Sequence, residues 1–317
     1  MKRPKQERMI TRRKALAVMA LGALATRLPG SMVSGNVPVR AKGGSSFKYS
    51  LNTSTIRGEE RDLISSVEIA SGAGYDGVEI WISDLNRSLE KGNSVESVNS
   101  RIRDLGIVVV NAIGFAPWLA PGEDGLLQMA REMELLAKVG CTRVAAPPAG
   151  LDPGEPLDLF RAGERYRKLL ELGRETGVMP QLEFWGSSPL LWHMGQALMI
   201  AALADDPDVK LLPDVYHMFR GGSGFDILKM LDGGMIDLFH MNDYPASIPR
   251  EKQEDADRVY PGDGAAPMQQ ILRDLQQMGG EKILSLELFN RTYWKEDPLQ
   301  VARTGLKKMK SLVEAIP

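Results

Sequence analysis

Eight short apolar runs alternating with amphipathic helical stretches, helix-ending glycines ahead of several runs, and polar residues closing others predict a parallel (β/α)8 barrel. The strand-like runs are Lys48–Asn52, Gly77–Ile82, Ile107–Phe115, Arg143–Pro147, Met179–Trp185, Val209–Val215, Ile236–Met241 and Ile283–Phe289. Between them lie helical patterns such as Gly125–Val139, Leu157–Thr176, Leu190–Ala204 and Pro298–Val313. Parallel strands need such crossovers, because a tight turn cannot return the chain in the same direction. Gly74, Gly106, Gly140 and Gly177 each fall just before a strand, where a helix needs a left-handed stop. A charged, proline-containing segment, 242–258, interrupts the pattern after the seventh strand and leaves from the catalytic face; a lid, an oligomer contact and a solvated excursion are all open for it.

The 317 residues suit one decorated barrel, and 43% hydrophobic residues are ample for its core. No apolar run reaches the roughly 18 residues that cross a bilayer. The single cysteine, Cys141, opens an apolar run and reads as a buried small hydrophobe.

Residues 1–14 carry seven Lys/Arg and one Glu, followed by the apolar stretch Ala15–Ala25 and a small-x-small site at Ala23-Leu24-Ala25. This is the layout of an export signal. Thr11-Arg12-Arg13-Lys14-Ala15-Leu16 resembles a twin-arginine signal, with Ala15 where that pattern usually has Phe. The expected organisation is therefore a signal over 1–25, a Gly/Ser-rich linker over 26–46 and the barrel over 47–317, in a periplasmic protein. No cysteine follows the cleavage site closely, so no stable membrane anchor is expected there. Of 39 basic and 41 acidic residues, 32 and 40 remain beyond the signal, a net of about −8. A body so acidic repels nucleic acid.

Four polar residues close predicted strands: Glu183, Asp214, His240 and Glu287, spaced 31, 26 and 47 residues apart. In neighbouring βα units these spacings place three carboxylates and one imidazole at one end of the barrel. Such an oxygen-rich shell suits a divalent cation, Mn²⁺ first, with Mg²⁺, Co²⁺ and Zn²⁺ also compatible. Carboxylates from strands five and eight, Glu183 and Glu287, reach a bound carbon from different sides. There they can remove and return a proton beside a carbonyl while the metal spreads the charge onto an enediolate.

Around this set stand weaker candidates. His217, three residues past Asp214, can polarise a substrate oxygen, and Asp243, also a candidate at the substrate, can instead support a ligand from behind or cap its loop. Trp81 and Trp185 each lie two residues beyond a glutamate, and Trp118 and Trp294 follow strands three and eight. Aromatic faces cover sugar C–H groups and exclude water. Asn52 and Asn111 are candidates for hydroxyl contacts. His193 begins a helix and reads as structural. Gly221-Gly-Ser-Gly224 reads as a flexible loop rather than a phosphate cradle, which points to an unphosphorylated substrate.

With these residues in place, residues 47–313 resemble the xylose isomerase-like TIM barrels, which include sugar isomerases and epimerases, inosose dehydratase and endonuclease IV. The resemblance rests on Gly74-Tyr-Asp-Gly-Val-Glu79, Asp214-x-x-His217, His240-x-x-Asp243, Arg258-x-x-Pro-Gly262-Asp-Gly264 and Glu287. It implies that Glu183, Asp214, His240 and Glu287 hold the metal, that the two glutamates exchange protons, and that His217 and Arg258 contact substrate oxygens. Glu79 matches an acidic position at the pocket edge. After Glu183 the chain reads Phe-Trp-Gly-Ser-Ser-Pro189 instead of the epimerases' Pro-x-Asn, so the pocket floor differs. Three histidines are too few for the endonuclease's zinc cluster. The first expectation is thus a metal-dependent isomerase or epimerase of an unphosphorylated small-molecule sugar or keto-sugar. A lyase using the same enediolate comes second and a sugar-binding barrel third; a homo-oligomer is left open.

Overall fold

The computed structural model describes residues 46–58, 61–152 and 154–316. The expected signal, and all but Ser46 of the expected linker, lie outside these residues. The described part contains eight parallel strands: β1 Ser46–Asn52, β2 Gly77–Trp81, β3 Val108–Ile113, β4 Arg143–Ala146, β5 Met179–Glu183, β6 Leu211–Leu212, β7 Leu238–Met241 and β8 Glu281–Leu286. Among the described residues nine α-helices accompany them: α1 Leu63–Ala73, α2 Ile82–Glu90, α3 Val95–Asp104, α4 Asp124–Lys138, α5 Leu159–Thr176, α6 Met194–Ala204, α7 Val215–Arg220, α8 Met268–Met278 and α9 Pro298–Glu314. None is long and apolar enough to cross a membrane.

The sheet order runs β6-β5-β4-β3-β2-β1-β8-β7, so β6 and β7 are the two ends of the hydrogen-bonded ladder. A single parallel bridge, Asp214 to His240, joins those ends, and the His240 N–H donates to the Pro213 carbonyl at 2.9 Å. Strand six is far shorter than expected over Val209–Val215. Pro213 has no N–H for the ladder, and Asp214 is already the N-cap of α7. The barrel therefore closes at two of the proposed metal ligands.

Local chemistry explains the helices. Asp62, Ser94, Asp158 and Asp297 cap α1, α3, α5 and α9, and Pro298 stands at the first turn of α9. Gly74 and Gly177 take the left-handed C-cap conformation at φ +91° and +77°, as their place before strands predicts. His193 is the N-cap of α6 in a reciprocal capping box with Gln196, a structural role.

Two apolar layers result. A large cluster fills the space between strands and helices. A small one, Val110, Ile113, Ala145, Leu212, Leu238 and Ile283, comes from strands alone, and its Ile113 also lines the cavity described below. Register on β3 slips at Val110: Val78 pairs with Val109, but Glu79 pairs with Asn111. This bulge aims Asn111 at Glu79.

The 242–258 segment packs on α7. Gln253 Nε2 donates to the carbonyls of Pro245 and Ile248, and the Gln253 carbonyl accepts from Tyr216 Oη at 2.9 Å. Asp243 and Val259 pair antiparallel at its base.

Candidate active site

Glu183 ends β5, Asp214 follows β6, His240 lies in β7 and Glu287 directly follows β8. One donor atom from each of Asp214, His240 and Glu287 lies within 4.8 Å of the others, and all three residues are buried. Glu183 is not in this group. It stands instead on the wall of a cavity of about 230 Å³, and no hydrogen bond among the described residues holds its carboxyl. Burial pushes that carboxyl up to about 8; His240 opposes the shift, while the like charges of Glu287, Glu79 and Asp214 add to it. Glu287 faces both the ligand group and the same cavity. Its carboxyl is raised by burial, against the pull of His240 and Arg258.

Beneath the ligands lies a polar layer. Glu79 receives hydrogen bonds from Asn52 (2.9 Å), Asn111 (2.6 Å) and Ser285 (2.8 Å), and Gln181 in turn supports Asn111. Both Glu79 oxygens lie 3.0 Å from His240 Nε2. Burial raises the Glu79 carboxyl, but His240 and the hydrogen bonds bring it below its ordinary value. Glu79 was expected at the pocket edge; it is 0% exposed and does not line the cavity. Asn52 and Asn111, expected at substrate hydroxyls, belong to this same buried layer. All three orient His240 from below.

This layer decides whether a metal fits. With Nε2 committed to Glu79, the other ring nitrogen, Nδ1, is buried without a hydrogen-bond partner. It faces Glu287 Oε2 at 3.4 Å and Asp214 Oδ2 at 3.7 Å. Burial disfavours the charged ring, yet Glu287, Glu79 and Asp214 raise its pKa to about 10. A field that holds a proton there so firmly equally favours a divalent cation. One imidazole nitrogen and two carboxylates, with the imidazole oriented by a third, are a donor set that suits one.

Arg258 and His217 occupy the opposite side. Arg258, 1% exposed, places Nη1 3.1 Å from Asp214 Oδ2 and 2.9 Å from Glu287 Oε2. Burial weakens its charged form, but Asp214, Asp255 and Glu287 outweigh this and hold it fully protonated. His217 accepts the Gly186 N–H on Nδ1 at 3.2 Å. Burial lowers its pKa to about 4, so the ring is neutral. Its Nε2 lies 3.1 Å from Arg258 Nη2, a nitrogen that only donates, and both residues line the cavity.

Aromatic rings form the remaining wall. Phe115 lies 5.6 Å from Trp81 and 6.0 Å from Trp185, and Phe289 lies 6.2 Å from Trp81. Phe115 and Phe289 were missed, although Phe289 has the same two-residue offset from Glu287 that singles out Trp81 and Trp185. Asp255, also missed, lines the cavity from the 242–258 segment, and only folding could bring it there. Two further expectations are corrected. Trp118 is fully buried, its indole N–H on the Pro147 carbonyl and its ring 6.2 Å from Tyr166, away from the cavity. Asp243 does not touch the cavity. Its carboxylate accepts the N–H groups of Tyr244, Gly262, Gly264 and Ala266, which fixes the loop that follows Arg258. Trp294 lines an adjoining recess instead.

Known proteins resemble this chain over most of the barrel. The inosose isomerase of Bacillus velezensis is 27% identical over 267 residues, covering 81% of this chain and 93% of that protein. The 3-dehydroshikimate dehydratase of Pseudomonas putida is 26% identical over 264 residues, covering 80% of this chain but 40% of the other. A solved structure described as an IolI protein with a bound zinc atom superposes with a TM-score of 0.77 at 24% identity, over 84% of this chain and 98% of that one. A family model described as xylose isomerase-like TIM barrel matches residues 67–312, and the chain belongs to that family.

Proposed function

We propose that the protein is a divalent-metal-dependent isomerase or epimerase of an unphosphorylated keto-sugar or inosose, acting outside the cytoplasm. One observation carries the reading: two buried carboxyl groups with raised pKa, Glu183 and Glu287, line one cavity, and Glu287 also belongs to the Asp214–His240–Glu287 donor group. The relatives named for inosose isomerisation support the substrate class. Asp214, His240 and Glu287 would hold the cation, Mn²⁺ in the first instance, with Glu183 as a fourth ligand on rotation of its side chain. When bound, the cation supplies a Lewis acid for a carbonyl and its neighbouring hydroxyl.

The protein's own groups do the rest. Trp81, Phe115, Trp185 and Phe289 cover the C–H face of the substrate and exclude water. Arg258 and His217 contact substrate oxygens at the cavity wall. Glu183, ionised, removes the proton beside the carbonyl, and Glu287, protonated, gives its own proton from the other side, leaving Glu183 protonated and Glu287 ionised until solvent resets them. Return to a neighbouring carbon gives isomerisation, and return to the opposite face of the same carbon gives epimerisation.

A second reading, elimination of a β-substituent, has its own support. The cavity shares Ser187, Asp255 and Phe289 with a recess of about 680 Å³, also lined by Arg220, Arg291 and Trp294, which could take a leaving group. Incubating the metal-loaded protein in D₂O with keto-sugars, inososes and 3-keto-glycosides tests both. Deuterium beside the carbonyl on an intact skeleton is expected. Loss of water or an aglycone would replace the first reading by the second, and no exchange with any of them would overturn both. Export is tested by replacing Arg12 and Arg13 with lysine, which should hold the protein in the cytoplasm.

A further inference from the structure

Arg258 is held by the ligands themselves. Its Nη1 bonds Asp214 Oδ2 and Glu287 Oε2, the same two oxygens that face His240 Nδ1. Its guanidinium lies 4.6 Å from the Tyr216 ring centre and 5.0 Å from that of Phe289, so the side chain cannot swing away without unpacking both. Asp255 holds Nη2 at 2.5 Å, and Asn290 holds the Arg258 carbonyl at 3.0 Å. The Asp255 side chain is 51% exposed, while Arg258 is buried.

We propose that Arg258 sets the metal affinity of the Asp214–His240–Glu287 centre downward, and that Asp255 moderates Arg258. The inference rests on the metal-centre reading above. Two effects act together. A fixed positive charge hydrogen-bonded to the ligand oxygens repels a dication in a medium that screens poorly. The same hydrogen bonds draw electron density from the oxygens, so they donate less to the cation and leave it a stronger Lewis acid. Asp255 offsets part of the guanidinium charge. Its removal should therefore act in the direction opposite to removal of Arg258. A residue that merely positioned the carboxylates would behave differently: its loss would weaken metal binding.

The test measures affinity for Mn²⁺ alone, by competition with a chromogenic chelator, on the wild-type protein and the Arg258→Met, Asp255→Asn and Asp214→Ala variants. Arg258→Met should bind the ion at least about tenfold more tightly, and Asp255→Asn roughly threefold or more weakly. Weaker or unchanged binding in Arg258→Met, or tighter or unchanged binding in Asp255→Asn, overturns the proposal. Asp255 is half exposed, so its variant decides the matter even where Arg258→Met does not fold. Asp214→Ala separates the two levels. If wild type binds no more Mn²⁺ than this variant, the metal-centre reading fails and takes the proposal with it. If wild type binds and Asp214→Ala does not, a wrong sign in the other two variants overturns the proposal alone.

Discussion

Glu79 and His240 are joined through both carboxylate oxygens, each 3.0 Å from His240 Nε2, in a barrel interior where both residues are 0% exposed. The pair fixes which ring nitrogen is left for a metal. Glu79→Gln removes the charge but keeps the size. It should lower metal affinity about tenfold to a hundredfold, the usual effect of losing a carboxylate behind a ligating histidine. Chelator competition reads this directly, and unchanged affinity would remove Glu79 from the metal centre.

Glu183 stands apart from the other three strand-end residues, so metal binding and proton transfer should separate on substitution. Asp214→Ala or His240→Ala should reduce bound metal by at least about tenfold. Glu183→Gln should keep most of the metal while lowering solvent-deuterium exchange into substrate by roughly a hundredfold or more. Metal content and exchange measured on the same samples check both. If Glu183→Gln loses metal as completely as Asp214→Ala, Glu183 is chiefly a ligand.

Asp243 gathers four backbone N–H groups, and Gly264 sits against it so closely that an added Cβ would lie 2.4 Å from Asp243 Oδ1 and 2.3 Å from the Tyr244 carbonyl. Asp243→Ala strips those donors and should cost about 3 kcal/mol of stability. Gly264→Ala should cost about 2 kcal/mol or more through the clash. Denaturant titration measures both. A stable Asp243→Ala variant with impaired activity would return Asp243 to the substrate site.

Cys141 is 2% exposed, donates from Sγ to the Arg143 carbonyl at 3.0 Å, and has its thiol pushed up to about 12 by burial. The folded state therefore favours the protonated thiol. That contribution is intact below the ordinary thiol value of 9.0 and is lost as the pH rises from there towards about 12. Native protein should resist thiol reagents at pH 8 and react only on unfolding. Between pH 8 and 10.5 the melting temperature of wild type should fall more steeply than that of Cys141→Ala. Parallel slopes would refute the thiol's share.

Periodicity and punctuation made the fold legible before any coordinates. The glycines before strands and the apolar runs are local signals, and the structure follows them. Glu183, Asp214, His240 and Glu287 were legible for the same reason: each is a polar residue closing an apolar run, and parallel strands in register bring such residues to one end. Phe289 was legible too, through its two-residue offset from Glu287.

The division of labour within that set was decided only by tertiary structure. Burial depth separates Glu79, bonded beneath His240, from Glu183, loose on the cavity wall, although both end or interrupt similar strands. Asp243 became a loop anchor because four N–H groups from later residues converge on it. Asp255 reached the cavity because the 242–258 segment packs on α7. Local sequence determines which residues leave a strand and in what direction. Which of them meet, which are desolvated, and which charge is opposed to which depend on contacts between residues as distant as Asn52 and Glu287. Those contacts exist only once the barrel has closed, at Asp214 and His240.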